Sequence, residues 1–170
     1  MSCIAEMGLA QMGFIPKGSK WYIAQIVEEI RVQGDRRNVV HTNQTLIRAD
    51  SPGEAYNKAI AIGKQGNTRY KNQEGKTVKI RFRGLRDLNV IYDGLEHGAE
   101  INFARDVAVS ETKIKSWILP KEKLEVFAPI RPHKGPDYGS AEVIEEVYKR
   151  WPRLKGIRGP GYRKAKRHRK

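Results

Sequence analysis

A group of acidic residues and one histidine contains the side chains best suited to bind a metal or transfer protons. Its members lie within 14 positions and are Asp87, Asp93, Glu96, His97 and Glu100. Their spacing matches neither HExxH nor paired cysteines. Gly94 and Gly98 among them are typical of a turn. We therefore predict a solvated acidic turn between two strands, with Asp87 as a turn cap, and neither a catalytic residue nor a metal.

A metal-dependent nuclease is an alternative, because such enzymes can use an Asp followed by Glu-x-Lys on a strand. The two carboxylates hold the metal and the lysine positions the attacking water. Asp93 followed by Glu111-Thr112-Lys113 has these residue types. The strand expected to carry the motif instead reads Glu100-Ile101-Asn102, without a lysine. The nuclease therefore ranks last among the functions considered.

No nucleophile or cofactor site is predicted. The single cysteine, Cys3, cannot form an internal disulfide and fits a reducing cytoplasm. The four histidines are scattered and no Gly-x-Ser-x-Gly motif occurs. The glycines of "KGIRGPGYRK" are not placed between a strand and a helix, as a phosphate-binding loop requires. We expect no cofactor.

The strongest chemical signal is a cationic C-terminal segment. The chain has a net charge of +14, and residues 149–170 contain eleven Lys and Arg with no Asp or Glu. The preceding 148 residues carry 22 basic and 19 acidic groups and are nearly balanced. Cations at this density stay solvated until a polyanion binds. RNA or DNA is the favoured partner, ahead of an acidic protein; a membrane is disfavoured because no apolar anchor accompanies the charge.

Aromatic residues lie among these cations. Tyr162 beside Arg163 could stack on a base while its neighbours contact phosphates. Trp151 is instead expected to be the last core residue of its helix. The predicted nucleic-acid-binding residues are Lys149, Arg150, Arg153, Lys155, Arg158, Tyr162, Arg163, Lys164, Lys166, Arg167, Arg169 and Lys170. Contacts with phosphate carry no sequence information, so we expect no sequence specificity.

Three further cations alternate along one predicted strand. In "TVKIRFRG", Lys79, Arg81 and Arg83 point to the face opposite the apolar side chains. Cations at this spacing could follow a phosphate backbone. We expect them instead to pair with acids on a wet sheet face, such as Glu28, Glu29 or Glu100.

The elements that position these residues predict an α+β fold. Strands are expected over "KWYIAQIVEEIRV", "VVHTNQTLIRA", "TVKIRFRG", "DLNVIYDG" and "GAEINFARDVAV", and "NTRYKNQEGK" is expected to be a loop. Ser51-Pro52-Gly53-Glu54 is a capping box that begins a helix over about 52–64, ending at Gly63 or Gly66. The order β-β-α-β-β-β favours a mainly antiparallel sheet with one helix packed on a face.

The C-terminal part is predicted to be an irregular arm, a helix and a basic tail. "ETKIKSWIL" fits a helix or a strand, and the next 20 residues contain four prolines. A helix over about 140–151 begins at Ser140, and its apolar stripe is Val143, Ile144, Val147, Tyr148 and Trp151. The expected organisation is a flexible leader (1–19), an α+β domain (20–110), the arm and helix (111–152) and the tail (153–170).

A family resemblance covers about residues 20–104. The residues that carry it are Trp21, Ala49, Ser51, Glu54, Ala55, Gly63, Phe82, Gly84, Asp87, Leu88, Gly98 and Glu100. In this pattern the chain resembles the small bacterial domain-of-unknown-function family numbered 4288. The resemblance implies a small cytoplasmic bacterial protein and brings no established activity.

The predicted function is therefore a non-catalytic, cytoplasmic accessory module that binds RNA or DNA through residues 149–170. The alternative is a protein-interaction module, such as an inhibitor or immunity-type partner, that makes contact through a sheet face. No apolar run approaches the length of a membrane span.

Overall fold

Four antiparallel strands form one sheet in the computed structural model of the protein, which describes residues 15–127, 135–152 and 154. The strands are β1 (Trp21–Val32), β2 (Asn38–Arg48), β3 (Thr68–Lys71) and β4 (Thr77–Val90), in the spatial order β2-β1-β4-β3. The helices are α1 (Pro52–Gln65), α2 (Glu111–Trp117) and α3 (Ala141–Arg150), with a 3₁₀ turn at Lys121–Lys123. The predicted α+β class with an antiparallel sheet is confirmed.

The central strand β1 separates two faces of the sheet. Its even-numbered side chains, including Tyr22, Ala24, Ile26 and Ile30, are buried on what we call the inward face. Its odd-numbered side chains lie on the outward face, where Arg31 is exposed and Ile23 is buried. The outward face is therefore open to solvent around Arg31 and covered around Ile23.

Strand β4 joins two segments that were predicted as separate strands. The pairing with β1 shifts twice, leaving Arg83 and Arg86 as extra residues on β4. Each is a β-bulge, which interrupts the side-chain alternation without ending the strand. Gly84 lies between the bulges with φ +140°, a value that favours glycine. The two apolar runs therefore looked like two strands because the bulges change the periodicity between them.

The last predicted strand, over 98–109, is not formed, and β3 lies in a segment predicted as a loop. Gly98 and Ala108, near the two ends of 98–109, have φ values of +90° and +57°, which interrupt an extended backbone. β3 has only four residues and forms because the turn after Lys71 folds it back on β4. The observed order is therefore β-β-α-β-β followed by helices.

Helix α1 packs on the inward face beside β1. Ser51 accepts a hydrogen bond from the Glu54 N–H (3.2 Å), and the Glu54 carboxylate accepts one from the Asp50 N–H (2.7 Å), so the predicted helix start is confirmed. Gly66 caps the other end. Ala55 and Ala59 are fully buried against Tyr22, Ala24, Ile26 and Ile47. A Cβ at Gly63 would lie 2.4 Å from the Phe82 ring, so the close approach requires glycine there.

The segment 135–140 covers the other half of the inward face. Tyr138 packs against a cluster of Ile30, Val32 and Val78. The Tyr70 hydroxyl donates a hydrogen bond to the Tyr138 carbonyl. Residues beyond the predicted 20–110 unit therefore contribute to its core.

Helix α3 begins as predicted but does not bury its predicted stripe. Ser140 accepts a hydrogen bond from the Val143 N–H (3.5 Å), whereas Val143 and Trp151 are 57% and 42% exposed. The prediction that Trp151 is a core residue is therefore wrong: it lies at the helix end, where Arg150 stacks over its ring at 5.0 Å.

Candidate nucleic-acid interface

Six cations lie together on the outward face, and we call this group the cationic face. Its members are Arg31, Arg69, Lys71, Lys79, Arg81 and Arg83. Arg31 pairs with Lys79, and Lys79 pairs with Arg69, so these three form a row across β1, β4 and β3. Directly paired residues project to the same side of a sheet. Pairing of distant segments therefore collects cations that lie up to 52 positions apart in the sequence.

The spacing of these cations follows from sheet geometry. Directly opposite Cβ atoms are about 5 Å apart across strands, and residues two apart along a strand are separated by about 7 Å. Lys79 therefore has cationic neighbours in both directions, with Arg81 along β4 and Arg69 across on β3. A flat array of charges at this spacing can hold several groups of a chain-like polyanion at once.

Glu29 neutralises one end of the cationic face. Its carboxylate lies 2.6 Å from Arg31 and 3.6 Å from Arg83. The hydrogen bond from the Asn38 side-chain amide (2.9 Å), followed by that from Arg31, lowers the pKa of Glu29. Glu29 therefore stays ionised and forms ion pairs with two of the six cations, Arg31 and Arg83.

The other four cations, Arg69, Lys71, Lys79 and Arg81, have no carboxylate within 4 Å in the part of the chain that the structure describes. The expected pairing is thus found for Arg83 alone. Glu28 lies on the inward face, where it accepts a hydrogen bond from Asn43 (2.8 Å). Glu100 lies in the irregular segment after β4. The register of β1 turns Glu28 to the inward face, and Glu100 is not part of the sheet, so neither acid pairs with these cations.

An open cleft of about 640 Å³ runs along this group. It is lined by Asn67, Thr68, Arg69 and residues 79–83. Asn67 forms its end, because its side-chain oxygen accepts the Phe82 N–H (2.7 Å) where β3 stops. The cleft contains four of the six cations and opens to solvent, which suits an extended ligand.

The C-terminal residues predicted to bind nucleic acid are described only in part. Lys149 and Arg150 are exposed in the last turn of α3. The others lie outside the described residues: Arg153, Lys155, Arg158, Tyr162, Arg163, Lys164, Lys166, Arg167, Arg169 and Lys170.

The acidic residues form no metal site among the residues described. No group of three or more His, Cys, Asp and Glu is arranged to hold a metal within residues 15–127 and 135–152. Asp93 accepts the Glu100 N–H (3.0 Å). Asp87 lies inside β4 rather than in a turn, and accepts hydrogen bonds from the Leu88 N–H and the Asn89 amide.

The arrangement needed for a nuclease is also missing from these residues. Glu111 and Lys113 lie in the first turn of helix α2, where side chains two apart do not face each other. A second cavity of about 410 Å³ lies between the start of α1 and residues 100–103, and its walls include Tyr22, Leu88 and Val90. Neither Asp93 nor Glu111 lines it.

Sequence reasoning missed Arg31, Arg69 and Lys71 as site residues. Arg69 and Lys71 were assigned to a loop because a four-residue strand is too short to show alternation. The available signal was "NQEG" at 72–75, one residue before the strand that begins at Thr77; this sequence is typical of a hairpin turn. Recognising it would have added β3 beside β4.

A family model matches one segment of the chain. Residues 21–102 match the DUF4288 family model, a domain of unknown function. The resemblance predicted over residues 20–104 is confirmed. Comparisons with curated proteins and with solved structures found no match.

The matched segment contains the whole sheet, helix α1 and all six cations of the cationic face. Several of the residues that carry the resemblance have structural roles. Ser51 and Glu54 begin α1. Gly63 allows α1 to approach the Phe82 ring, and Gly84 adopts a positive φ between the two bulges. Residues 149–170 lie outside it. Among the described residues, no helix has both the length and the apolar character to cross a bilayer.

Proposed function

We propose that the protein is a non-catalytic accessory module that binds the phosphate backbone of RNA or DNA. The observation that carries this proposal is the group of four cations at regular spacing on the exposed part of the sheet face, none with a carboxylate within 4 Å among the described residues. The eleven cations of residues 149–170 provide a second region of the same charge. Phosphate neutralisation by Lys and Arg supplies most of the affinity in sequence-independent binding.

The proposed binding is without sequence specificity. Long cationic side chains on a flat face reach phosphates, and phosphates are the same for every sequence. The proposed setting is the bacterial cytoplasm, which agrees with a single cysteine and with the character of the DUF4288 family. A protein-interaction module is the second candidate, favoured by Val40 and Leu46, which are 54% and 47% exposed on the outward face.

The test is fluorescence anisotropy with labelled RNA and DNA at several salt concentrations. Each neutralised phosphate contributes about −0.9 to the log–log slope on duplex and about −0.7 on single strands. The R69A/K79A/R81A variant should flatten the duplex slope by about 2 to 3 and weaken binding equally for all sequences. The K17A/K64A/K123A variant is the matched control, since it removes the same charge from exposed lysines elsewhere.

The outcomes separate the candidates. A steep slope that the first variant flattens and the control does not supports the proposal. Absence of binding at low salt would overturn it and favour the protein-interaction module. An equal effect of the two variants would exclude the sheet face as the binding surface.

A further inference from the structure

Strand β2 leaves one edge of the sheet open. Ala49, just after β2, donates its N–H to the Lys20 carbonyl (2.9 Å), so backbone groups of odd-numbered β2 residues point toward β1. Those of the even-numbered residues point away from the sheet. The Lys58 ammonium donates to the Arg48 carbonyl at the end of the strand. Within the described part of the chain, no backbone hydrogen bond reaches the outer edge between Asn38 and Leu46.

The opposite edge of the sheet is protected, which makes β2 exceptional in this molecule. β3 is only four residues long and carries two cations. Where β3 no longer covers β4, the Asn67 side chain accepts the Phe82 N–H, and β4 has two bulges. Short strands, charges and bulges are the means by which proteins prevent edge pairing. β2 is neither short nor bulged: it spans 11 residues and pairs with β1 without a register shift. It contains no Pro, Gly, Lys or acid, and its one formal charge, Arg48, is its last residue.

The side chains of β2 are symmetric in character about Asn43. Val39 and Ile47 lie on the inward face, and Val40 and Leu46 lie on the outward face at equal distances from Asn43. The residues between these apolar pairs are His41, Thr42, Gln44 and Thr45. An antiparallel strand with this pattern is complementary to itself.

We propose that β2 pairs antiparallel with β2 of a second copy of the chain, with Asn43 on the two-fold axis. This register places even-numbered residues opposite even-numbered residues, so the free backbone groups of both edges meet. It also places each exposed Val40 opposite Leu46 of the other copy. The one formal charge of the strand, Arg48, faces Asn38, so no like charges meet. A shift by two residues would place Val40 opposite Gln44 and lose the apolar match.

The dimer has one eight-stranded sheet, with both cationic faces on the same side because paired residues share a face. A polyanion long enough to reach both would bind bivalently, with higher avidity than either face provides. This consequence depends on the proposed function, whereas the dimer itself does not.

Cysteine cross-linking tests the register in a Cys3→Ser chain. Residues opposite themselves at a non-hydrogen-bonded position have Cα atoms about 4.5 Å apart, which a disulfide can span. Asn43→Cys should therefore form a covalent dimer on mild oxidation. Thr42→Cys is the control. In this register residue 42 faces residue 44 of the second copy, so the two introduced cysteines are offset by two positions. Their Cα atoms are then farther apart than the roughly 7 Å that a disulfide can span. Equal cross-linking of the two variants would exclude this register.

Sedimentation equilibrium tests the interface without a cross-link. The unaltered chain should reach twice the monomer mass as its concentration rises, and V40K/L46K should remain at the monomer mass because like charges would then face each other. V40K/L46E places opposite charges at both symmetric contacts and should restore the dimer. A chain that is monomeric throughout, or a V40K/L46K dimer, would overturn the proposal. A monomer that still binds nucleic acid would leave the proposed function standing.

Discussion

Asn72 is the residue that joins the β3–β4 turn to the segment 135–140. It is 2% exposed, and its amide donates to the Asp137 carbonyl (2.7 Å). Its side-chain oxygen accepts the N–H groups of Glu74 (3.0 Å) and Lys76 (2.9 Å), which shape the turn. One buried side chain therefore determines both the position of β3 and the docking of a distant segment.

Asn72→Ala should lower the free energy of unfolding by about 1–3 kcal/mol, because buried backbone groups lose their partners. Urea denaturation measures the change. The neighbouring Gln73 is exposed, so Gln73→Ala should have little effect. Equal effects of the two substitutions would show that the buried bonds contribute nothing.

Asp35 has a carboxyl pKa that is lowered by a neighbouring arginine. The Arg37 guanidinium lies 2.8 Å from the Asp35 carboxylate, and its hydrogen bonds lower the pKa of Asp35 from 3.8 to about 2. Because the folded pKa lies below the unfolded value, its stabilising contribution is complete above about pH 4 and is lost as the pH falls toward 2. Carbon-13 NMR titration should give a midpoint near 2. Arg37→Ala should move it toward 3.8, whereas Arg36→Ala should not.

Helix α1 offers a comparison of two glycines within one element. A Cβ at Gly53 would meet nothing within 4 Å, whereas a Cβ at Gly63 would lie 2.4 Å from the Phe82 ring. In the helix, alanine is preferred over glycine by up to about 1 kcal/mol. Gly53→Ala should therefore stabilise slightly, and Gly63→Ala should destabilise by about 1–3 kcal/mol through overpacking. Thermal melting of the two variants checks the opposite signs.

The elements differ in how far the sequence could predict them. α1 was predictable because its start depends on adjacent residues, Ser51 to Glu54. β4 was divided in two because bulges at Arg83 and Arg86 depend on pairing with β1, which no local pattern contains. The same applies to the site: alternation predicted Lys79 and Arg81 on one face, whereas Arg31 and Arg69 join them only through register.

The whole molecule covers its inward face with two separate parts of the chain. α1 lies over the half of the sheet near Tyr22, and the segment 135–140 lies over the half near Ile30. The outward face carries the cations on its exposed part around Arg31. Folding thus leaves the charge balance on the two faces unequal, which the overall net charge alone does not reveal.

Two truncations test which C-terminal residues contribute to the core on the inward face. A chain ending after Pro152 keeps both covering parts and the cationic face, so its melting temperature should stay within a few degrees of the full chain, because solvated charges contribute little to stability. A chain ending at residue 134 loses Tyr138, the Asn72–Asp137 bond and the Tyr70–Tyr138 bond. At about 2–4 °C per kcal/mol, it should melt several degrees lower.

The longer truncated chain also separates the two cationic regions. It lacks nine of the eleven cations of residues 149–170 but keeps the six on the sheet. Because each neutralised phosphate contributes separately to the salt dependence, its log–log slope should become shallower without reaching zero. Adding R69A/K79A/R81A to that chain should flatten the duplex slope by a further 2 or so, at about 0.9 per phosphate, measured by the same anisotropy titrations. A truncated chain that keeps the full slope would place all binding on the sheet, and one without any slope would place it all in the C-terminal residues.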